Sequence, residues 1–222
     1  SSLSEAVINE SGLGHLDRDE IERALAGKSI SITFSAGEEA FFFKGSTVSG
    51  EITPLFQLLY AHIKDQGYRQ DAYSLTMKRF SQKYLELESS IDGSLILHGQ
   101  RFLAGGDSRF GLPSFEEFRG LTLQDVRSWI QPQLAHAPLE VSVVGDFNAE
   151  DVVAAAAKYL GTLPARDRQP YMTAHGDQSP RFPAGQMLNM SVKTKIPKGL
   201  LVVAYPTEDL WNIERTRRLN LL

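Results

Sequence analysis

The stretch Glu140–Arg166 reads EVSVVGDFNAEDVVAAAAKYLGTLPAR. Valines run into a Gly-Asp pair, Asn148 stands where a helix would be capped, an alanine-rich helix follows, and Gly, Pro and Arg close it. A strand that turns into a helix is a common place to hold a phosphate or a catalytic carboxylate. Gly145 and Asp146 are therefore the first candidates for a site. Against them, no second glycine follows, and no acidic residue is placed to hold a ribose. A bare Gly-Asp after a strand is most often turn chemistry: glycine supplies backbone freedom and aspartate bonds nearby amides. The spacing predicts an interior strand over Leu139–Val144 and a helix from Asn148 to Leu160.

Upstream, apolar spacing predicts a short helix over Leu3–Ile8, stopped by SGLG, and an exposed helix in DRDEIERALAG with Gly27 as its stop. SISITFS alternates Ile30, Ile32 and Phe34, AGEE signals a turn, and AFFFKGSTV returns, so Ser29–Val48 reads as an antiparallel hairpin. PLFQLLYAHIKDQ carries Leu55, Leu58, Leu59 and Ile63 on one stripe and ends at Gly67. RQDAYSLTMKRFSQKYLELES reads as a long amphipathic helix with Tyr73, Met77, Phe80 and Tyr84 inward. SSIDGSLILHGQRFLAGG is a third, less regular helix, and DSRFGLPSFEEFRG a loop. LTLQDVRSWIQPQLA starts at Thr122 with Asp125 three residues on, close to a capping box. After Pro164, ARDRQPYMTAHGDQSPRFPAGQ has the composition of a linker. MLNMSVKT and KGLLVVAYP then read as strands, with a helix from about Leu210. This order is not a strict βαβ alternation. It predicts an α+β fold with helices layered on one face of a mostly antiparallel sheet.

The chain has 222 residues, 42% hydrophobic and 23% charged, which suits one large domain or two small ones. A net charge of -4 and no Lys/Arg block argue against nucleic acid as a partner. No apolar run is long enough to span a bilayer. The absence of cysteine excludes disulfides, Fe–S clusters and cysteine nucleophiles, and fits either cytoplasm or periplasm. Both ends read as cut: SSLSEAV has neither Met nor signal peptide, and RRLNLL stops inside a helical pattern. A fragment of a longer protein is expected.

Other candidate sites fall to simpler readings. Ala26–Ser29 (AGKS) carries Gly-Lys-Ser, but Glu22 stands where a phosphate loop needs glycine, and a helix precedes the motif rather than following it. The histidines, His15, His62, His98, His136 and His175, lie far apart in sequence. His136 and Glu140 are separated by the helix-breaking Pro138. His62 and Asp65 could share a helix face, but that face is a packing stripe, so a partly buried structural histidine is the better reading. His175–Asp177 falls in the linker. Ser35 lies in a hairpin turn, not a Gly-x-Ser-x-Gly elbow. No catalytic, metal or substrate residue is assigned in this chain.

The segment LTLQDVRSWIQPQLAHAPLEVSVVGDFNAEDVVAAAAKYLGTLPARD resembles the insulinase/pitrilysin (M16) metallopeptidases. The likeness rests on Leu121–Arg127, on the VVGDF strand end at Val143–Phe147, and on the YLGTLPAR close at Tyr159–Arg166. GLGHLDRDEIERALAGKSISITFSAGEEAFFFKGSTV with ITPLFQLLYAHI is similar to the start of the second, C-terminal half of two-half bacterial members. The resemblance implies an M16-type domain over residues 1–165, a linker over 166–185, and the start of a next repeat over 186–222. Catalytic halves of the family bind zinc through His-x-x-Glu-His, with the Glu as general base. Aligned to SLSEA, that motif retains Glu5 while Ser2 and Ala6 replace both histidines, so no zinc is expected here. Zinc is expected in the catalytic half of the parent.

By the same resemblance, the second half closes over the first to form a peptide-sized chamber. The Arg and Tyr it often supplies to substrate lie beyond Leu222, which leaves the substrate-binding residues of this chain unknown. The leading expectation is thus an inactive half of a zinc-dependent peptidase, walling the chamber and contacting the catalytic half. The partners implied are that half and a peptide substrate, with no nucleic acid and no membrane, and a homo-oligomer left open. The alternative is a non-catalytic M16-like scaffold or partner subunit in protein assembly. An independently active enzyme ranks last. The resemblance favours the bacterial periplasm over the cytoplasm.

Overall fold

The computed structural model describes residues 2–37, 40–166, 180–193, 197–207 and 212–219. In chain order they form helices α1 (Ser2–Ser11) and α2 (Arg18–Ala24), strands β1 (Ser31–Ala36) and β2 (Phe41–Ser46), and helices α3 (Ile52–Lys64) and α4 (Gln70–Glu88). Helices α5 (Ile91–Ser94), α6 (Gln100–Leu103), α7 (Phe115–Gly120), α8 (Leu123–His136), α9 (Ala149–Tyr159) and α10 (Ile213–Leu219) follow. The chain divides into two compact units, Ser1–Tyr84 with Phe115–Asp177, and Leu85–Ser114 with Gln178–Leu222. The class is α+β.

In the first unit, β1 and β2 pair antiparallel with Phe34 opposite Phe43 and Ala36 opposite Phe41. Gly37 N–H donates to the Ala40 carbonyl at 2.8 Å to close the turn. Period-2 alternation puts Phe34, Phe41 and Phe43 on one face. The Phe34 ring meets Phe41 edge-on and lies tilted against Phe43. Phe41 reaches Trp129 of α8 and Phe43 reaches His62 of α3, so this face carries the helices. The opposite face, with Thr33, Phe42 and Lys44, is exposed. Helix α1 packs on β1, and α3 packs on both strands, on α8 and on α9.

Each helix boundary has a local cause. Asp17 caps α2 through Glu20 N–H while the Glu20 carboxylate accepts from Asp17 N–H, a reciprocal capping box. Thr122 and Asp125 do the same for α8. Asn148 Oδ1 accepts from Glu150 N–H to start α9. The burial stripe of α3 centres on Ile52, Phe56 and Ile63, with Leu55, Leu58 and Leu59 half-buried at its margins. On α4 the buried residues include Ala72, Thr76 and Tyr84, while Tyr73, Met77 and Phe80 are half-buried. The expected stripe is therefore correct in period and turned by about one residue.

In the second unit, the run Ile91–Leu103 is broken by a π-helical turn at Leu95–Gly99, which accounts for its irregular pattern. Gly105 holds φ +67 with its α-carbon against Arg181: a Cβ there would lie 2.2 Å from the Arg181 carbonyl oxygen. Ser94 Oγ donates to Met190 Sδ at 3.3 Å.

Three expectations fail among the described residues. DSRFGLPSFEEFRG is not all loop, because Phe115–Gly120 is helical and Phe118 is buried between the rings of Phe80 and Tyr84. Leu139–Val144 forms no interior strand: no ladder partner lies beside it, and Val144 is 94% exposed. The described parts of MLNMSVKT and KGLLVVAYP likewise form no strand. A β-pattern becomes a strand only when its backbone finds a partner, and alternation alone does not supply one. Most of the expected linker, with His175–Asp177, and the tip Glu38–Glu39 of the AGEE turn lie outside the described residues.

Candidate functional site

Gly145 adopts φ +143, and a Cβ placed on it would meet no atom within 4 Å. Glycine is needed there for the backbone angle, not for close approach to a ligand. The Asp146 carbonyl accepts from Ser49 Oγ at 2.6 Å, tying the turn to the start of α3. Phe147 then packs on the cluster of Ile52, Phe56 and Ala155 where α3 meets α9. Gly145 and Asp146 thus form a joint that sets α9 on α3, as turn chemistry predicts.

Ala26–Ser29 is equally structural. Lys28 N–H donates to the Leu25 carbonyl at 2.9 Å, closing the end of α2, and Ser29 N–H donates to Glu51 Oε2 at 2.8 Å. A carboxylate occupies the amide that a phosphate would require.

Helix α1 is where the zinc residues of the resembled family would fall. Glu5 Oε1 accepts from Ala36 N–H of β1 at 2.9 Å. One turn on, Asn9 makes a reciprocal pair with Phe34: its Nδ2 donates to the Phe34 carbonyl at 2.9 Å, and its Oδ1 accepts from Phe34 N–H at 2.8 Å. Ser2 and Ala6 bring no imidazole, and the one surviving carboxylate is engaged with the strand. These residues do not fit zinc.

The histidines are not brought together as a ligand set. Among the described residues no group of three or more His, Asp or Glu could hold a metal ion. His62 is largely buried on α3 against Phe43, with its Nδ1 lacking a hydrogen-bond partner among the described residues. Burial pulls its pKa down from 6.5 to about 4, which keeps the ring neutral. Asp65, its expected helical companion, caps the end of α3 and lays its carboxylate over Gly14. His15, His98 and His136 are exposed.

Two structural roles escape the sequence reading. Arg166, the last residue of the signature stretch, donates to the Leu134 and Ala137 carbonyls, both at 2.8 Å. It satisfies the unpaired C-terminal carbonyls of α8 with a cation, where the helix dipole favours one. Arg69 donates to the Ser11 carbonyl at 3.0 Å and the Leu13 carbonyl at 2.9 Å, pinning the loop after α1. Local pattern signals neither, because the carbonyls each arginine serves lie 29 or more residues away in the chain.

Residues 120–222 match the family model described as the Peptidase M16 inactive domain. Over 162 residues the chain is 27% identical to the chloroplastic stromal processing peptidase of Oryza sativa subsp. indica, and 26% to that of Pisum sativum, covering 72% of this chain. The chain spans 13% of the length of these relatives. Among solved structures it resembles the periplasmic protease PqqL from Escherichia coli, with TM-score 0.61, 20% identity, and 74% of this chain and 18% of that one covered. It also resembles the ferredoxin protease FusC, solved as a mutant in complex with Arabidopsis ferredoxin, with TM-score 0.61, 16% identity, and 75% and 19% covered. These likenesses show the fold. The family-model match spans a little under half of the chain, and the likeness to the solved proteases shows a fold shared with them.

Proposed function

We propose that this domain serves as the inactive half of a zinc-dependent M16 peptidase, walling a chamber that encloses a peptide and contacting the catalytic half. Zinc would reside in that other half. The observation that carries the reading is the state of α1: at the place where the family keeps its metal, Glu5 holds the Ala36 amide and the flanking residues are Ser2 and Ala6. A contact with another half is supported by the apolar, exposed side chains of Leu139, Val141, Val143 and Val144. The stromal processing and periplasmic relatives are named as proteases, which suits a peptide or protein substrate. For the compartment we propose the bacterial periplasm.

The test is reconstitution. The catalytic half of the parent is assayed on a quenched fluorescent peptide with and without this chain, and zinc is counted in each by atomic emission. The expected outcome is no zinc and no cleavage for this chain alone, with cleavage by the catalytic half rising when this chain is added. Cleavage by this chain alone overturns the proposal. Binding to partner proteins with no peptidase activity in any combination would establish the scaffold role instead.

A further inference from the structure

The outer backbone edge of β1 is closed by side chains rather than by a strand. In an antiparallel pair, alternate residues turn their N–H and C=O toward the partner strand and away from it. Phe34 gives both its N–H and its carbonyl to Asn9, and Ala36 gives its N–H to Glu5. These two residues therefore face away from β2, and the ladder to β2 falls to Ser31, Thr33 and Ser35, opposite Ser46, Lys44 and Phe42. Glu5 and Asn9 stand one helical turn apart on α1, a spacing close to the two-residue repeat of outward positions along a strand. A free edge with such groups is a template for strand addition by another chain, a recognised route to association.

We propose that α1 is a built-in substitute strand: Glu5 and Asn9 occupy the outward ladder positions of β1 and keep a second copy of this chain from adding there. The inference stands on the three hydrogen bonds and the register, and does not depend on the peptidase reading. Asn9 matches a strand residue atom for atom, since a carboxamide offers the same donor and acceptor as a peptide unit.

Amide hydrogen exchange on the full chain, read residue by residue, tests it together with sedimentation velocity over a range of concentrations. In the Glu5→Ala/Asn9→Ala double variant at low concentration, exchange at Phe34 and Ala36 should quicken by roughly tenfold or more while Thr33 and Ser35 stay protected. On raising the concentration the variant should dimerise and regain protection at Phe34 and Ala36, whereas the unaltered chain shows no concentration dependence at either amide. Should the double variant fold poorly, Glu5→Leu alone opens one position: Ala36 exchanges faster and Phe34 does not. Unchanged exchange at Phe34 and Ala36 overturns the proposal. So do an opened edge that never associates and, in Glu5→Leu, loss of all four amides together.

Discussion

His62 shows what burial does to a titratable ring whose Nδ1 has no partner among the described residues. Its folded pKa is about 4 against an ordinary 6.5, because burial penalises the charged ring. The unfolded chain takes up the proton first, so the stability tied to neutral His62 is fully present above pH 6.5 and is lost as pH falls from there through about 4. Over that window it amounts to about 3 kcal/mol. Substituting His62→Phe should flatten the fall in melting temperature between pH 6.5 and 4, and an unchanged slope would refute the assignment. Arg166 works in the opposite sense, supplying a charge where one is wanted. Arg166→Met leaves the Leu134 and Ala137 carbonyls unpaired and should cost about 1–3 kcal/mol in urea unfolding. Arg166→Lys, which keeps the charge but loses the two-pronged geometry, should fall between.

Among the elements, α7 and α8 show how far local sequence carries. The Thr122–Asp125 box is legible because capping chemistry involves residues three apart, and both bonds form as read. Thr122→Ala should cost about 1 kcal/mol by thermal unfolding. Helix α7 is too short for periodicity to announce it, and Gly and Pro before it signal loop. What makes it a helix is Phe118, 2% exposed and stacked on Phe80 at 5.1 Å between ring centroids. Phe118→Ala should cost about 3 kcal/mol and erase part of the near-ultraviolet aromatic signal, whereas Glu116→Ala on the exposed face should leave both unchanged. The hairpin was legible from alternation, but the closure of its edge by α1 was not, since Asn9 and Phe34 are far apart in sequence.

At the scale of the molecule, the exposed apolar stretches decide what can be tested. Val144 is 94% exposed, so Val144→Asp should shift the stability of the chain alone by no more than about 0.5 kcal/mol. If Leu139–Val144 meets the catalytic half, the same change weakens that association tenfold or more in a titration, by about 1.4 kcal/mol, and equal binding would remove this surface from the interface. By itself the sequence determined the helices with their caps, the Ser29–Val48 hairpin and the turn at Gly145, because each rests on residues a few positions apart. It also determined that α1 lacks imidazoles. Only the tertiary structure decided that Leu139–Val144 stays without a ladder, that Phe118 makes a helix of a loop-like segment, that Arg166 caps α8, and that Glu5 and Asn9 stand in for a strand. Each of those depends on a partner supplied by a distant part of the chain, and local pattern carries no record of who that partner is.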